Sequence, residues 1–196
     1  MTDRRRLSTS PKQRGDRVPR TSLLLDACIA INLAATNRLH HVAQELGFTF
    51  TLVHQAAAEV GYLRDTADGQ IVTTRIDLTR YDGDALELIS LTPAEYSRYI
   101  DLARIVDDGE AATITVAVER LMPLATDDRK ARKLCAELQV QEPLRTLGIV
   151  HSYADATHLP QGELREILVN IRERASYQPA RSDPDRKWWE DIIGDA

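Results

Sequence analysis

Residues 107–132 read DDGEAATITVAVERLMPLATDDRKAR. Acids stand at both ends: Asp107, Asp108 and Glu110 at one, Asp127 and Asp128 at the other. Between them the chain looks built for burial. Residues 109–121 have helical spacing, with Glu110, Ile114, Ala117 and Leu121 on one stripe. PLAT, 123–126, reads as a short strand, and 129–138 as a helix with Ala131, Leu134, Cys135 and Leu138 on one face. An acid on an apolar stripe is costly unless something compensates it. For Glu110 the helix dipole returns only about 0.3–1 kcal/mol.

Working outward, the same alternation continues. SLLLD reads as a buried strand ending at Asp26, followed by one or two helices ending at Gly47. A second short strand covers 49–53, and HQAAAEVGYL, 54–63, reads as a helix that places Glu59 on a face with Ala56 and Leu63. Residues 71–78 alternate, with Val72, Thr74, Ile76 and Leu78 on one side, as an edge strand or hairpin arm would. ELISL, 87–91, is a further strand. Thr92 and Glu95 form a capping box with Pro93 at the first helical position, opening a helix over 92–106. LGIV, 147–150, reads as a strand, and 161–174 as an amphipathic helix through Leu164, Ile167, Leu168 and Ile171. Strands alternating with helices predict an α/β domain with a mainly parallel sheet. In such a sheet all strand ends of one kind lie along one edge, where ligands bind. Asp26 and Asp127, a hundred residues apart, should therefore converge.

The 196 residues suit one domain with tails, and at 43% hydrophobic but 5% aromatic the core must be mainly aliphatic. Residues 1–20 carry +5, leaving −10 on the rest of a chain whose net charge is −5. An acidic body with a basic arm is not held to nucleic acid by net charge alone. That arm, residues 1–20, is expected to be disordered. Its basic residues before SLLLDACIAINLAA imitate a secretory signal, but Asp26 and Asn32 interrupt the apolar run. No run approaches the ~18 apolar residues of a membrane span. Cys28 and Cys135 have no metal-ligand spacing and read as free thiols in a reducing compartment. The expectation is a cytoplasmic protein.

Several carboxylates converging without a basic partner suit a hard divalent cation such as Mg²⁺ or Mn²⁺. Plainer roles compete residue by residue. Asp108 could cap the helix that begins near Gly109, Asp128 could cap the helix of 129–139, Asp107 could be a solvated loop acid, and Glu59 a surface glutamate. Other chemistries fit less well. A phosphatase of the haloacid dehalogenase type needs an acid where Cys28 stands. There is no Gly-rich phosphate loop after a strand, no G-x-S-x-G elbow and no H-E-x-x-H pair.

LLLDACIAINL, HQAAAEV, DDGEAATITVA and LATDDRKAR, with TLGIV and LPQGELREIL after them, together resemble a PIN domain over residues 21–175. The resemblance implies a three-layer α/β/α sandwich with a short, mainly parallel central sheet, and a tail at 176–196. Many prokaryotic PIN domains are VapC-like toxins of toxin–antitoxin pairs. The resemblance therefore implies a Mg²⁺- or Mn²⁺-dependent endoribonuclease of single-stranded RNA, a homodimer, with a protein antitoxin as partner and no membrane association. Asp26, Glu59, Glu110 and Asp127 would be the catalytic metal ligands, with Asp128 an accessory acid. Arg129, Lys130 and Arg132 would contact RNA phosphates, or else form a solvated basic face. Two positions depart from the family pattern. Ala27 and Cys28 follow Asp26 where a hydroxyl residue is usual, and a thiol is a weak hydrogen-bonding group. Arg145 stands where the related branch often has glycine. The competing classes are a non-catalytic PIN-like RNA- or protein-binding module and a DNA nuclease of the flap-endonuclease type, for whose helical clamp the chain is short. In the tail, the neighbouring Trp188 and Trp189 mark a contact with another molecule or with the domain itself.

Overall fold

The computed structural model describes residues 20–81, 83 and 85–194. The expected disordered arm thus lies outside the described residues except for Arg20. The elements run β1 Thr21–Leu25, α1 Ala27–Ala35, α2 Leu39–Glu45, β2 Phe48–Val53 and α3 His54–Glu59. A hairpin follows, β3 Tyr62–Ala67 and β4 Gln70–Arg75, then β5 Leu86–Ile89, α4 Tyr96–Leu102 and α5 Asp108–Glu119. The chain ends with β6 Leu124–Ala125, α6 Arg129–Glu137, α7 Thr146–Thr157, α8 Gln161–Arg174 and α9 Arg186–Ile193.

Four strands pair in parallel in the order β5-β2-β1-β6. Successive side chains of a strand point to opposite faces, and β1 shows the result. Leu23 and Leu25 enter one core with residues of α1, α2, α7, α8 and α9, while Leu24 enters a second with residues of α4, α5 and α6. Helices therefore cover both faces of the sheet. All three leucines are fully buried, each contributing about 2 kcal/mol relative to exposure. The sheet is mainly parallel, as the alternation of elements predicts.

Several local readings need correction. LGIV is not a strand. It lies in α7, where Leu147, Val150, Tyr153 and Ala154 face the core at helical spacing. The strand-like pairing comes just before it, where Leu144 bridges Ala125. A four-residue apolar run is too short to display its own period. The helix of 54–63 stops at Glu59, and Leu63 belongs to β3. The alternating stretch is one arm of a two-stranded hairpin, and every residue of β4 is exposed because no third layer covers it. The capping box forms, Glu95 Oε2 accepting from Thr92 N–H at 2.6 Å, but α4 ends at Leu102. Leu121 is not on the buried stripe of α5. The helix ends at Glu119 and Leu121 is 89% exposed. Among the described residues no helix is long and apolar enough to cross a membrane.

Candidate active site

The acids meet at one edge of the sheet. β1 and β6 pair with Leu25 opposite Ala125, so the residues leaving both strands emerge side by side. Asp26 is the first of them. It is 5% exposed and caps α1, accepting from Ala27 N–H at 2.6 Å. Its other oxygen accepts from Thr126 Oγ1 at 2.9 Å and Cys28 Sγ at 3.2 Å. The hydroxyl that the local sequence lacks therefore arrives from the neighbouring strand. The Cys28 thiol is held protonated, its pKa raised by burial and then by the Asp26 charge.

Asp127 is tied to the start of α7. Thr146 donates to it twice, from N at 3.1 Å and from Oγ1 at 2.6 Å. Asn32 on α1 donates to the same Thr146 hydroxyl at 2.9 Å and lies 3.4 Å from Asp127. Burial raises the Asp127 pKa, and the Thr146 bonds oppose the shift. Arg145 does not line the acids' cleft, being paired with Asp183 at 3.5 Å and donating to Ser182 O at 3.3 Å, but its charge also opposes the rise at Asp127.

Glu110 lies in the first turn of α5, preceded by Asp107 as the residue in the N-cap position. The expected cap Asp108 is instead the first helical residue. Burial pushes the Glu110 carboxyl up to about 7, helped by the charges of Asp128, Asp26 and Asp107. Glu59, at the end of α3, accepts from Gly109 N–H at 2.8 Å. Its pKa is also raised, by burial first, with the Gly109 bond opposing and Asp26, Asp107 and Asp108 adding repulsion. Asp128 takes the plainer role as well: it caps α6, accepting from Lys130 N at 2.7 Å and Ala131 N at 2.8 Å.

These residues line one open cleft of about 520 Å³. Asp26, Glu59, Asp107, Glu110, Asp127 and Asp128 form its acidic side, and Ala175, Ser176, Tyr177 and Gln178 come from the chain after α8. Among the described residues no Lys or Arg lines it. Arg129 and Lys130 are exposed on the first turn of α6, next to Asp128. Arg132 is turned elsewhere, its side chain 14% exposed and bonded to Pro143 O and Glu142. Sequence reasoning missed Asp107, Asn32 and Tyr177 in the lining of this cleft, and Thr126 and Thr146 as the residues that hold Asp26 and Asp127. Asp107 had a signal, its i,i+3 spacing to Glu110 at a helix start. Asn32 had another, as a polar residue inside an apolar helix.

Among the described residues, no three His, Cys, Asp or Glu side chains are gathered tightly enough to hold a metal ion. The chemistry of the donor set nevertheless fits a hard cation: carboxylate oxygens, no basic side chain in the lining among the described residues, and three acids, Glu59, Glu110 and Asp127, whose ionised form is disfavoured by burial. A family model described as a PIN domain matches residues 22–181. The chain belongs to the PIN-domain family. No curated protein matches it. PIN domains are in general nucleases, hydrolases that typically use divalent metal ions. In this PIN domain the three-layer fold is built to deliver acids to one strand edge.

The tail folds back on its own domain. Trp189 is 3% exposed, its ring edge-on to Tyr177 with centroids 5.7 Å apart. Trp188 stacks on His151 at 4.3 Å, and His151 Nδ1 lies 2.8 Å from Asp185. Through Trp189, α9 thereby braces Tyr177, which stands in the wall of the cleft.

Proposed function

We propose that this PIN domain is a divalent-metal-dependent endoribonuclease of single-stranded RNA, acting in the cytoplasm as the toxin of a toxin–antitoxin pair. One observation carries the reading: a cleft lined by six carboxylates and, among the described residues, no Lys or Arg. Asp26, Glu59, Glu110 and Asp127 would hold Mg²⁺ or Mn²⁺, with Asp128 accessory. The ion would activate water and polarise the scissile phosphate. The protein's own work is orientation. Thr126 and Ala27 N–H fix Asp26, Thr146 fixes Asp127, and Gly109 N–H fixes Glu59. Without a cation, Glu110, at about 7, divides between protonated and ionised near neutrality, so its carboxyl can hold a proton. Arg129 and Lys130, exposed beside Asp128, suit phosphates flanking the cleft. Homodimerisation and an antitoxin partner belong to the same proposal.

A mixed single-stranded RNA pool tests it. Cleavage should require Mg²⁺ or Mn²⁺, stop in excess chelator, and vanish in Asp26→Asn and Glu110→Gln. Expression should be toxic in cells for the wild type and harmless for Asp26→Asn. The second reading, a non-catalytic RNA- or protein-binding module, draws on the absence of a gathered ligand triad among the described residues. It predicts RNA retention without cleavage and no measurable Mn²⁺ affinity.

A further inference from the structure

We propose that Gly109 is a positioning residue: the missing side chain at the start of α5 is what allows the Glu59 carboxylate to seat there and face the acid cleft. Gly109 is buried and its backbone is helical, so no left-handed φ calls for glycine. The space does. A Cβ at this position would lie 2.6 Å from both Glu59 oxygens and 2.7 Å from the carboxyl carbon. Real Cβ atoms do not approach so closely, so one group must move.

Among the described glycines the collision is particular to this one. Gly148, in the first turn of α7, would bring its Cβ no nearer than 3.8 Å to Asp185, and Gly162 in α8 meets nothing within 4 Å. Glycine is a poor helix former relative to alanine, so a buried helical glycine with no conformational need has some other use. Here the use has two parts. The first N–H groups of a helix have no partner within it, and Gly109 N–H finds one in Glu59 Oε1 at 2.8 Å. That bond also sets where the carboxylate of α3 stands, fifty residues away in sequence and in the same cleft as Glu110. Any larger residue would push Glu59 off the helix end and out of register with the other acids. The metal-binding consequence rests on the function proposed above, while the steric seat does not.

The test uses Gly109→Ala alone, with Glu59→Asp, and with Glu59→Ala, all in the full chain. Thermal melts in chelator read the seat. Alanine should raise the melting temperature in the Glu59→Ala background, where only helix propensity acts, but not beside the native Glu59. Mn²⁺ titration followed by electron paramagnetic resonance reads the consequence. Gly109→Ala should bind the ion at least tenfold more weakly, and Glu59→Asp, one methylene shorter, should restore part of the loss. A Gly109→Ala protein that fails to fold, but is rescued by Glu59→Ala, supports the seat; failure in both overturns it. Equal gains in melting temperature in both backgrounds also overturn it, as does unchanged Mn²⁺ binding by Gly109→Ala in a wild type that binds the ion. If the wild type binds no Mn²⁺, the metal-dependent reading falls and the melts alone decide the seat.

Discussion

Replacing Glu110 by Gln should stabilise the metal-free protein at alkaline pH and leave it unchanged in acid. Burial, with Asp128, Asp26 and Asp107 nearby, raises the Glu110 pKa from 4.5 to about 7. Because the folded pKa is the higher one, the folded state binds the proton more readily. Glu110 therefore costs nothing below about 4.5, and its penalty grows as pH rises towards about 7 and is constant above it. At about 1.4 kcal/mol per unit, the full shift corresponds to roughly 3 kcal/mol. Glu110 is only partly buried, and screening by solvent reduces the usable value to about 1–2 kcal/mol. For a domain of this size that is a rise of about 3–6 °C in melting temperature. Melts of both proteins in chelator, from pH 5 to pH 8, measure it as the gap between two curves. The gap should open across the interval and close again for the wild type in excess Mn²⁺. Asp127→Asn should gain less than Glu110→Gln, because the Thr146 bonds already offset much of the burial of that acid. A gap of constant size from pH 5 to pH 8, or a Gln variant that melts lower throughout, would refute the reasoning. Glu110 would then be anchored by contacts its ionised form prefers.

Glu95 has the opposite sign. Its bonds from Arg120 and Thr92 N–H lower the carboxyl from 4.5 to about 2, so its contribution of about 3 kcal/mol is present above pH 4.5 and lost as pH falls towards 2; Glu95→Gln should flatten that part of an acid unfolding curve. Asp128→Ala removes the α6 cap and should cost about 1 kcal/mol in urea unfolding, reduced by relief of repulsion at Glu110, while keeping most of the Mn²⁺ response that Asp26→Asn abolishes. Trp189→Ala should destabilise by about 3–5 kcal/mol, and loss of its ring from Tyr177 should weaken RNA cleavage; near-native stability would mean α9 is only lightly docked.

Much of this molecule is legible along the chain. Periodicity separates strands from helices, and in a parallel sheet strand exits share an edge, so Asp26 and Asp127 could be paired without coordinates. Glu110 stood out as an acid beside Ile114 and Ala117, both buried. Such signals work because one face of an element must be apolar, whatever its partner. The tertiary structure decided what those faces could not encode. Only packing makes 147–150 a helical turn rather than a strand. Thr126 reaches Asp26 across one hundred residues, Asn32 reaches Thr146 across 114, and Glu59 finds its seat on Gly109 across fifty. Each of these contacts is set by strand register and helix placement, which determine to within an ångström which side chains share a space, while hydrophobic periodicity records only which side of an element faces inward.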